Sequence, residues 1–321
     1  MSRALRLAGL LLGVAVVLWL VAQADVATLL GVFPQIGWGF AAIVAARAAT
    51  ILIDTAAWRS LLPGTERPRF SSVLPLRWIG ESINTTLPAG QIGGDVVRAR
   101  LLQQRMAAPA HGAASVALDF CLSLFAQIMF TVLGFVLLAW LSREASWWPV
   151  AAGAVLLPLF AAASWELLVR RRLLAAAERT ALRLGWRPLA SSLQALAAAL
   201  VLVAGSRAAL ARSLALHVAS LFGHAAELWL TLHLMGLPIG FAEAILLESL
   251  SFAARSAAFL IPSGWGAQEA SLVALAGVTG LSADSALALG LVKRAREFAV
   301  GLPGLAAWAI AERRRSARLP G

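Results

Sequence analysis

Residues 87–95 read Leu87-Pro88-Ala89-Gly90-Gln91-Ile92-Gly93-Gly94-Asp95, and residues 261–269 read Ile261-Pro262-Ser263-Gly264-Trp265-Gly266-Ala267-Gln268-Glu269. Each copy is an apolar residue followed by P-x-G-x-x-x-x-acid, so Pro88, Gly90 and Asp95 match Pro262, Gly264 and Glu269. Pro and Gly break helices. Broken backbone persists at membrane depth only where protein or a wet cavity surrounds it, because unpaired N–H and C=O groups are costly in lipid. The pair therefore predicts two buried helical hairpins, each with a short helix starting just after the break. The N-terminus of such a helix carries free N–H donors and a partial positive charge suited to a phosphate or carboxylate. A plain packing turn is the alternative reading of the same residues.

Working outward, the chain has the composition of an integral membrane protein. Of its 321 residues, 60% are hydrophobic and 13% charged, and the mean hydropathy is +0.81. Long apolar runs of about 20 residues match the thickness of a hydrocarbon core and exclude the short alternating strands of an outer-membrane barrel. The expected architecture is all-α, a polytopic helical membrane protein of six spans plus two re-entrant hairpins. Spans are expected at 7–22, 36–58, 112–141, 147–168, 210–235 and 281–310, with hairpins in 70–110 and 241–280. Residues 22–24, Ala22-Gln23-Ala24, would suit signal-peptide cleavage, but the first run is read as a retained helix.

Lys and Arg number 27 against 16 Asp and Glu, for a net charge of +11. The excess falls in short loops, which makes an anionic inner leaflet the partner rather than nucleic acid. Arg59, Arg67, Arg69 and Arg77 mark one cytoplasmic loop, Arg170 to Arg172 another, and Arg313, Arg314, Arg315 and Arg318 the tail. Both termini are then cytoplasmic, in a bacterial inner membrane. The segment 23–35 holds no Lys or Arg and reads as an outer loop, and 173–206 reads as an interfacial helix region. The two hairpins with their flanking spans form repeat halves, approximately 36–141 and 210–310. The hairpins open in opposite directions, as in inverted-repeat transporters.

Ionisable residues inside such segments cost about 2.5–3.5 kcal/mol each on insertion scales and mark pathways or internal pairs. Here they are Glu81, Asp95, Arg98 and Asp119, then Glu243, Glu248, Arg255, Glu269, Lys293, Arg294, Arg296 and Glu297. Glu297 can pair with Lys293 or Arg294 along one helix. One acid cannot neutralise three bases, so part of that charge is expected to be free for an anion, with Arg98 and Arg100 as a second basic group. Arg47 and Asp54, seven apart on one face, read as an internal ion network. His217, His224 and Glu227 share a face and read as a helix–helix contact rather than a metal site. Cys121 reads as packing. No P-loop, dinucleotide fingerprint, nucleophile elbow or HExxH stands in the chain, so neither a cofactor nor an enzymatic activity is expected.

At these motifs the chain resembles the family named for the transmembrane region of lysylphosphatidylglycerol synthase. It is most similar to the hopanoid-biosynthesis-associated branch. The resemblance rests on Trp78 to Asn84, Leu87-Pro88, Gly93 to Arg100, His224 to Glu227, Arg255 to Phe259, Pro262 to Glu269 and Leu291 to Glu297. It implies a flippase moving a lipid or lipid-linked intermediate between leaflets, often beside a glycosyltransferase or lipid-modifying enzyme. The soluble aminoacyl-transfer domain of true synthases is absent, so synthesis of that lipid is not implied. Combined with the charges above, the expected substrate-binding set is Glu81, Asn84, Pro88, Gly90, Asp95, Arg98, Arg255, Pro262, Gly264, Glu269, Lys293, Arg294 and Glu297. Arg98, Lys293 and Arg294 are expected to meet negative charge, and neutralising Arg98 or Lys293 is expected to stop lipid movement while sparing folding. The rivals are a non-transporting partner of a lipid-modifying enzyme and an intramembrane enzyme acting on a headgroup.

Overall fold

The computed structural model describes residues 26–64, 67–87, 93–141, 172–258 and 266–316. The spans expected at 7–22 and 147–168 lie outside these residues, as do the hairpin tips with Pro88, Gly90, Pro262 and Gly264. Every regular element among the described residues is helical. In chain order they are α1 (Val26–Ile36), α2 (Gly39–Ser60), α3 (Phe70–Thr86), α4 (Gly93–Gln103), α5 (Pro109–Leu141), α6 (Arg172–Arg183), α7 (Arg187–Ala204), α8 (Arg207–Leu234), α9 (Phe241–Ala257), α10 (Ala267–Ala276) and α11 (Ala283–Ser316).

The apolar runs become the long helices. Among the described residues α2 and α5 are long and apolar enough to cross a membrane, and α7 with α8 is a third candidate if the bent pair is one span. The axis turns by 85° between α7 and α8. The helices α8 and α11, of 28 and 34 residues, exceed the roughly 20 residues a span needs, but buried polar side chains interrupt their apolarity. Within the segment 23–35, the described residues from Val26 onward are helical rather than a loop. They belong to α1, whose Val32 and Ile36 are buried against Leu228, Leu232 and Leu246. Gly37, at φ +49°, turns the chain from α1 into α2.

The region 173–206 is two helices. Leu182, Leu184 and Trp186 stand exposed at the C-terminal end of α6, next to Arg179 and Arg183. By contrast α7 buries Ala199, Leu200 and Val203 against Leu61, Ala114 and Leu118. Half-buried Cys121 packs at the edge of that cluster, which fits a packing role.

Both expected hairpins are present as helix pairs. A 17-residue helix precedes each break (α3, α9), a helix of 11 or 10 residues follows it (α4, α10), and a helix of 33 or 34 residues comes next (α5, α11). In the bundle α2 packs on α8, α3 on α11 and α5 on α9. Within each half the short helix sits between its neighbours, α4 touching α3 and α5, α10 touching α9 and α11.

Glycine sets how closely these helices approach. A Cβ on Gly94 would collide with the Gly80 carbonyl, so α3 and α4 cross backbone to backbone. Gly134 lies against Ser249 where α5 meets α9, and Gly304 against Ser82 where α11 meets α3. Small residues at crossings are the usual way membrane helices gain packing, since lipid gives them no hydrophobic drive to associate. Substituting Gly94 by Ala must push α3 off α4, at a cost of about 1–3 kcal/mol for overpacking. Gly277, with nothing within 4 Å of its would-be Cβ, serves as the control. Thermal unfolding in detergent should show Gly94→Ala clearly destabilised and Gly277→Ala close to wild type.

Candidate functional site: a charge-lined cavity between the hairpins

Arg47 and Asp54 lie two turns apart on one face of α2. Arg47 forms an ion pair with Glu81 on α3 and sits 2.9 Å from a ring nitrogen of His224 on α8. Asp54 faces Arg77 of α3 at 3.3 Å. Arg77 also donates to Asp119 of α5 at 2.9 Å. The same Asp119 oxygen accepts from Arg98 of α4 at 2.8 Å, and Arg98 reaches Asp95 at 2.7 Å. Arg98 is 1% exposed, and its guanidinium stacks 4.5 Å above the Trp58 ring, a cation–π contact strengthened by the lack of water. His217 of α8 lies between two carboxylates, 3.0 Å from Asp119 and 3.4 Å from Asp54. Arg77 is thus a buried member of this network and not a cytoplasmic loop cation, because α3 begins at Phe70 and carries it inward.

The second half holds a matching set of pairs. On α11, Lys293 pairs with Glu248 of α9 rather than with Glu297. Arg294 meets Glu269 of α10 at 2.6 Å and Glu297 at 2.8 Å, and Arg296 meets Glu227 of α8 at 2.9 Å. Arg255 of α9 reaches Glu297 at 2.7 Å. The expectation that α11 leaves positive charge uncompensated is therefore corrected. Lys293, Arg294 and Arg296 each meet a carboxylate brought from another helix, and those partners lie 25 to 69 residues away in sequence. Arg100 also stands apart from Arg98, half-exposed and 3.7 Å from Glu312.

The short-helix N-termini differ from expectation in the same way. Asn84 Oδ1 accepts from the Gly94 amide at 2.7 Å, while its amide nitrogen donates to Asp95. A Glu269 oxygen accepts from the Gly266 amide at 2.9 Å. One amide at the start of each short helix is thus taken by the protein's own side chain.

Between the two networks lies a cavity of about 380 Å³. Of the substrate-binding set expected from sequence, Glu81, Asn84, Asp95, Arg98, Arg255, Lys293 and Glu297 line it. Glu269 and Arg294 stand outside its lining and support α10 and α11 instead. Residues missing from that set but present in the lining include Arg47, Asp54, Arg77, His217, His224, Glu248 and Arg296. Spacing was the available signal, since 47 and 54, like 217 and 224, are separated by two helical turns. The lining also includes the apolar side chains of Phe120, Leu124, Leu221 and Phe252. Among the described residues no group of three or more His, Cys, Asp or Glu could hold a metal. His217, His224 and Glu227 instead bond to Asp119, Arg47 and Arg296 across helix contacts.

An all-helical bundle with paired charges buried around a part-polar, part-apolar cavity defines a polytopic membrane protein. The chain belongs to the family described as the lysylphosphatidylglycerol synthase TM region, whose model matches residues 6–304. Neither a curated protein nor a solved structure matches it. Family membership makes it a membrane protein related to lipid synthesis and flipping.

Breaking one partner of a buried pair strands the other charge, which costs about 3–5 kcal/mol, whereas apolar replacement of both is often neutral. Glu227→Gln should therefore lower thermal stability sharply by isolating Arg296. The double variant Glu227→Leu, Arg296→Met should recover most of the loss, as read by melting in detergent.

Proposed function

We propose that the protein is a lipid flippase, moving a lipid or lipid-linked intermediate between the leaflets of a bacterial inner membrane. The observation that carries this reading is the cavity. Its lining combines charged side chains able to hold a polar headgroup with the apolar side chains of Phe120, Leu124, Leu221 and Phe252, against which a chain can lie. An amphipathic cargo needs both kinds of surface at once, and a purely structural ion network needs neither a cavity nor an apolar lining. Family membership supports the same direction, and its hopanoid-associated branch makes a hopanoid-related lipid the first substrate to try.

Several further parts belong to this proposal. The order long, 17-residue, short, long recurs in α2–α5 and α8–α11, and α3 on α11 corresponds to α5 on α9. This supports two repeat halves, read as inverted, with the cavity between them. The helices α6 and α7, with exposed Leu182, Leu184 and Trp186 beside bases, suit the membrane interface. The basic tail supports a cytoplasmic C-terminus, and the even number of expected spans puts the N-terminus on the same side. The protein acts without catalysing a reaction, takes membrane lipids as its partners, and leaves nucleic acid aside. A glycosyltransferase or lipid-modifying enzyme would supply or consume its cargo.

Because Arg98 and Lys293 are buried and paired, neutralising them also disturbs folding, and Arg255 is the better probe. It lines the cavity near Phe252 and its side chain keeps 14% exposure. In liposomes with headgroup-labelled lipids and a leaflet-selective quencher, the purified wild type should move lipid across the bilayer. Arg255→Gln should slow that movement by about tenfold, the effect of roughly 1.4 kcal/mol, and should lower the melting temperature less than Glu227→Gln does, because Glu297 keeps Arg294 as a partner. Folded wild-type protein that moves neither phospholipids nor hopanoid-like lipids would favour a non-transporting partner of a lipid-modifying enzyme.

A further inference from the structure

The cavity contains one side chain whose surroundings demand a proton count that neutral chemistry does not supply. A neutral imidazole has one N–H donor and one acceptor nitrogen. In His217, Nε2 lies 3.0 Å from Asp119 Oδ1 and Nδ1 lies 3.4 Å from Asp54 Oδ1. An ionised carboxylate only accepts. Each carboxylate also meets bases on its other oxygen, Asp119 with Arg77 and Arg98, Asp54 with Arg77. Nε2 is hydrogen-bonded to Asp119 and Nδ1 faces Asp54 as an ion-pair contact, so a ring carrying a proton on both nitrogens matches the two carboxylates.

We propose that His217 is a proton-binding site through which lipid movement is coupled to proton flow. The coupling rests on the flippase reading above; the proton site itself does not. His217 lines the cavity, so water there can exchange with it. The step is a simple transfer. The Nδ1–H proton passes to a cavity water, the N–H bonding pair stays on nitrogen, and the ring becomes neutral. Nδ1 then turns a lone pair toward Asp54, and the contact between α8 and α2 changes from attraction to repulsion. The longer of the two contacts, that to Asp54, is the one released.

The same change reaches the first hairpin through Asp119. One oxygen of that carboxylate faces His217 and the other accepts from Arg98, which in turn holds Asp95. Asp95 and Asn84 line the cavity where a headgroup would meet the hairpin. A headgroup that competes for Arg98 or Asp95 shifts the hold on Asp119, and with it the affinity of His217 for its proton. By reciprocity the proton shifts the affinity for the headgroup.

The other charged groups around α8 have partners of their own. From α2, Arg47 is engaged by Glu81. From α9 and α11, Glu248 and Lys293 hold each other, Arg296 meets Glu227, and Glu297 meets Arg255 and Arg294. The helix α7 carries no ionisable residue after Arg187. Asp54 and Asp119 are thus the groups that define the proton's binding energy at His217.

The test uses the full chain in two measurements. In liposomes with headgroup-labelled lipid and a trapped pH dye, a pH gradient should change wild-type lipid movement by about tenfold, a usual size for coupling between two sites. Lipid movement should also carry protons, and His217→Gln should remove both effects. Lipid movement that ignores the gradient and carries no protons overturns the coupling. The second measurement is nitrogen NMR of histidine-labelled protein, with the His217 signal among the four histidines assigned by its loss in His217→Gln. Two protonated ring nitrogens at neutral pH support the site, and one bare nitrogen overturns it. If the wild type moves no lipid under any gradient, the flippase reading and its coupling fail together, and the NMR result alone decides the proton site.

Discussion

Asp119 on α5 accepts hydrogen bonds from Arg77 of α3 and Arg98 of α4 on one oxygen and meets His217 of α8 on the other. Four helices thereby converge on one fully buried carboxylate. Two guanidinium groups within bonding distance of it offset the cost of holding an ion away from water, and the carboxylate in turn offsets theirs. The arrangement has geometric prerequisites. Arg98 reaches Asp119 from a short helix that can lie flush against α3 only because Gly80 and Gly94 let the two backbones touch. Trp58 supports the guanidinium from below and is itself held by a hydrogen bond to Ser115 of α5.

The second half follows the same logic with the charges redistributed. The bases stand together on α11, and the acids come from α8, α9 and α10. A cluster of three bases within four positions would repel itself in isolation; brought against three acids it fixes the positions of three helices. The consequence for the cavity is that its charged wall is balanced locally. It does not act as a sink for any anion, and a headgroup must exchange contacts with existing pairs. Exchange of that kind suits transport, where a bound state must form and then dissolve.

Much of the fold was legible because the bilayer imposes length and apolarity on a chain. The run expected at 112–141 is Pro109–Leu141, that at 210–235 is Arg207–Leu234, and each P-x-G motif falls between a longer and a shorter helix. Legibility ended where one-dimensional rules conflict with tertiary structure. The segment 23–35, which holds no Lys or Arg, reads as a loop, yet Val32 and Ile36 enter a core. Arg77 looked like one more loop cation, because charge counting cannot distinguish a base at the membrane surface from one carried inward by a helix. The unusual residues Asp119, Glu248 and Lys293 stood out in sequence, but their partners did not. Nothing local links 54 to 77, 119 to 217 or 227 to 296.

The account's central claim is that the cavity between the hairpins receives a lipid headgroup. A photo-crosslinking side chain can be placed at Phe252 in the cavity's lining, or at Trp140, which is 74% exposed on the outer face of α5. With a lipid labelled on its headgroup and the protein in bilayers, the account predicts capture at 252 that unlabelled lipid competes away, and little capture at 140. Capture at 140 with none at 252 would contradict it.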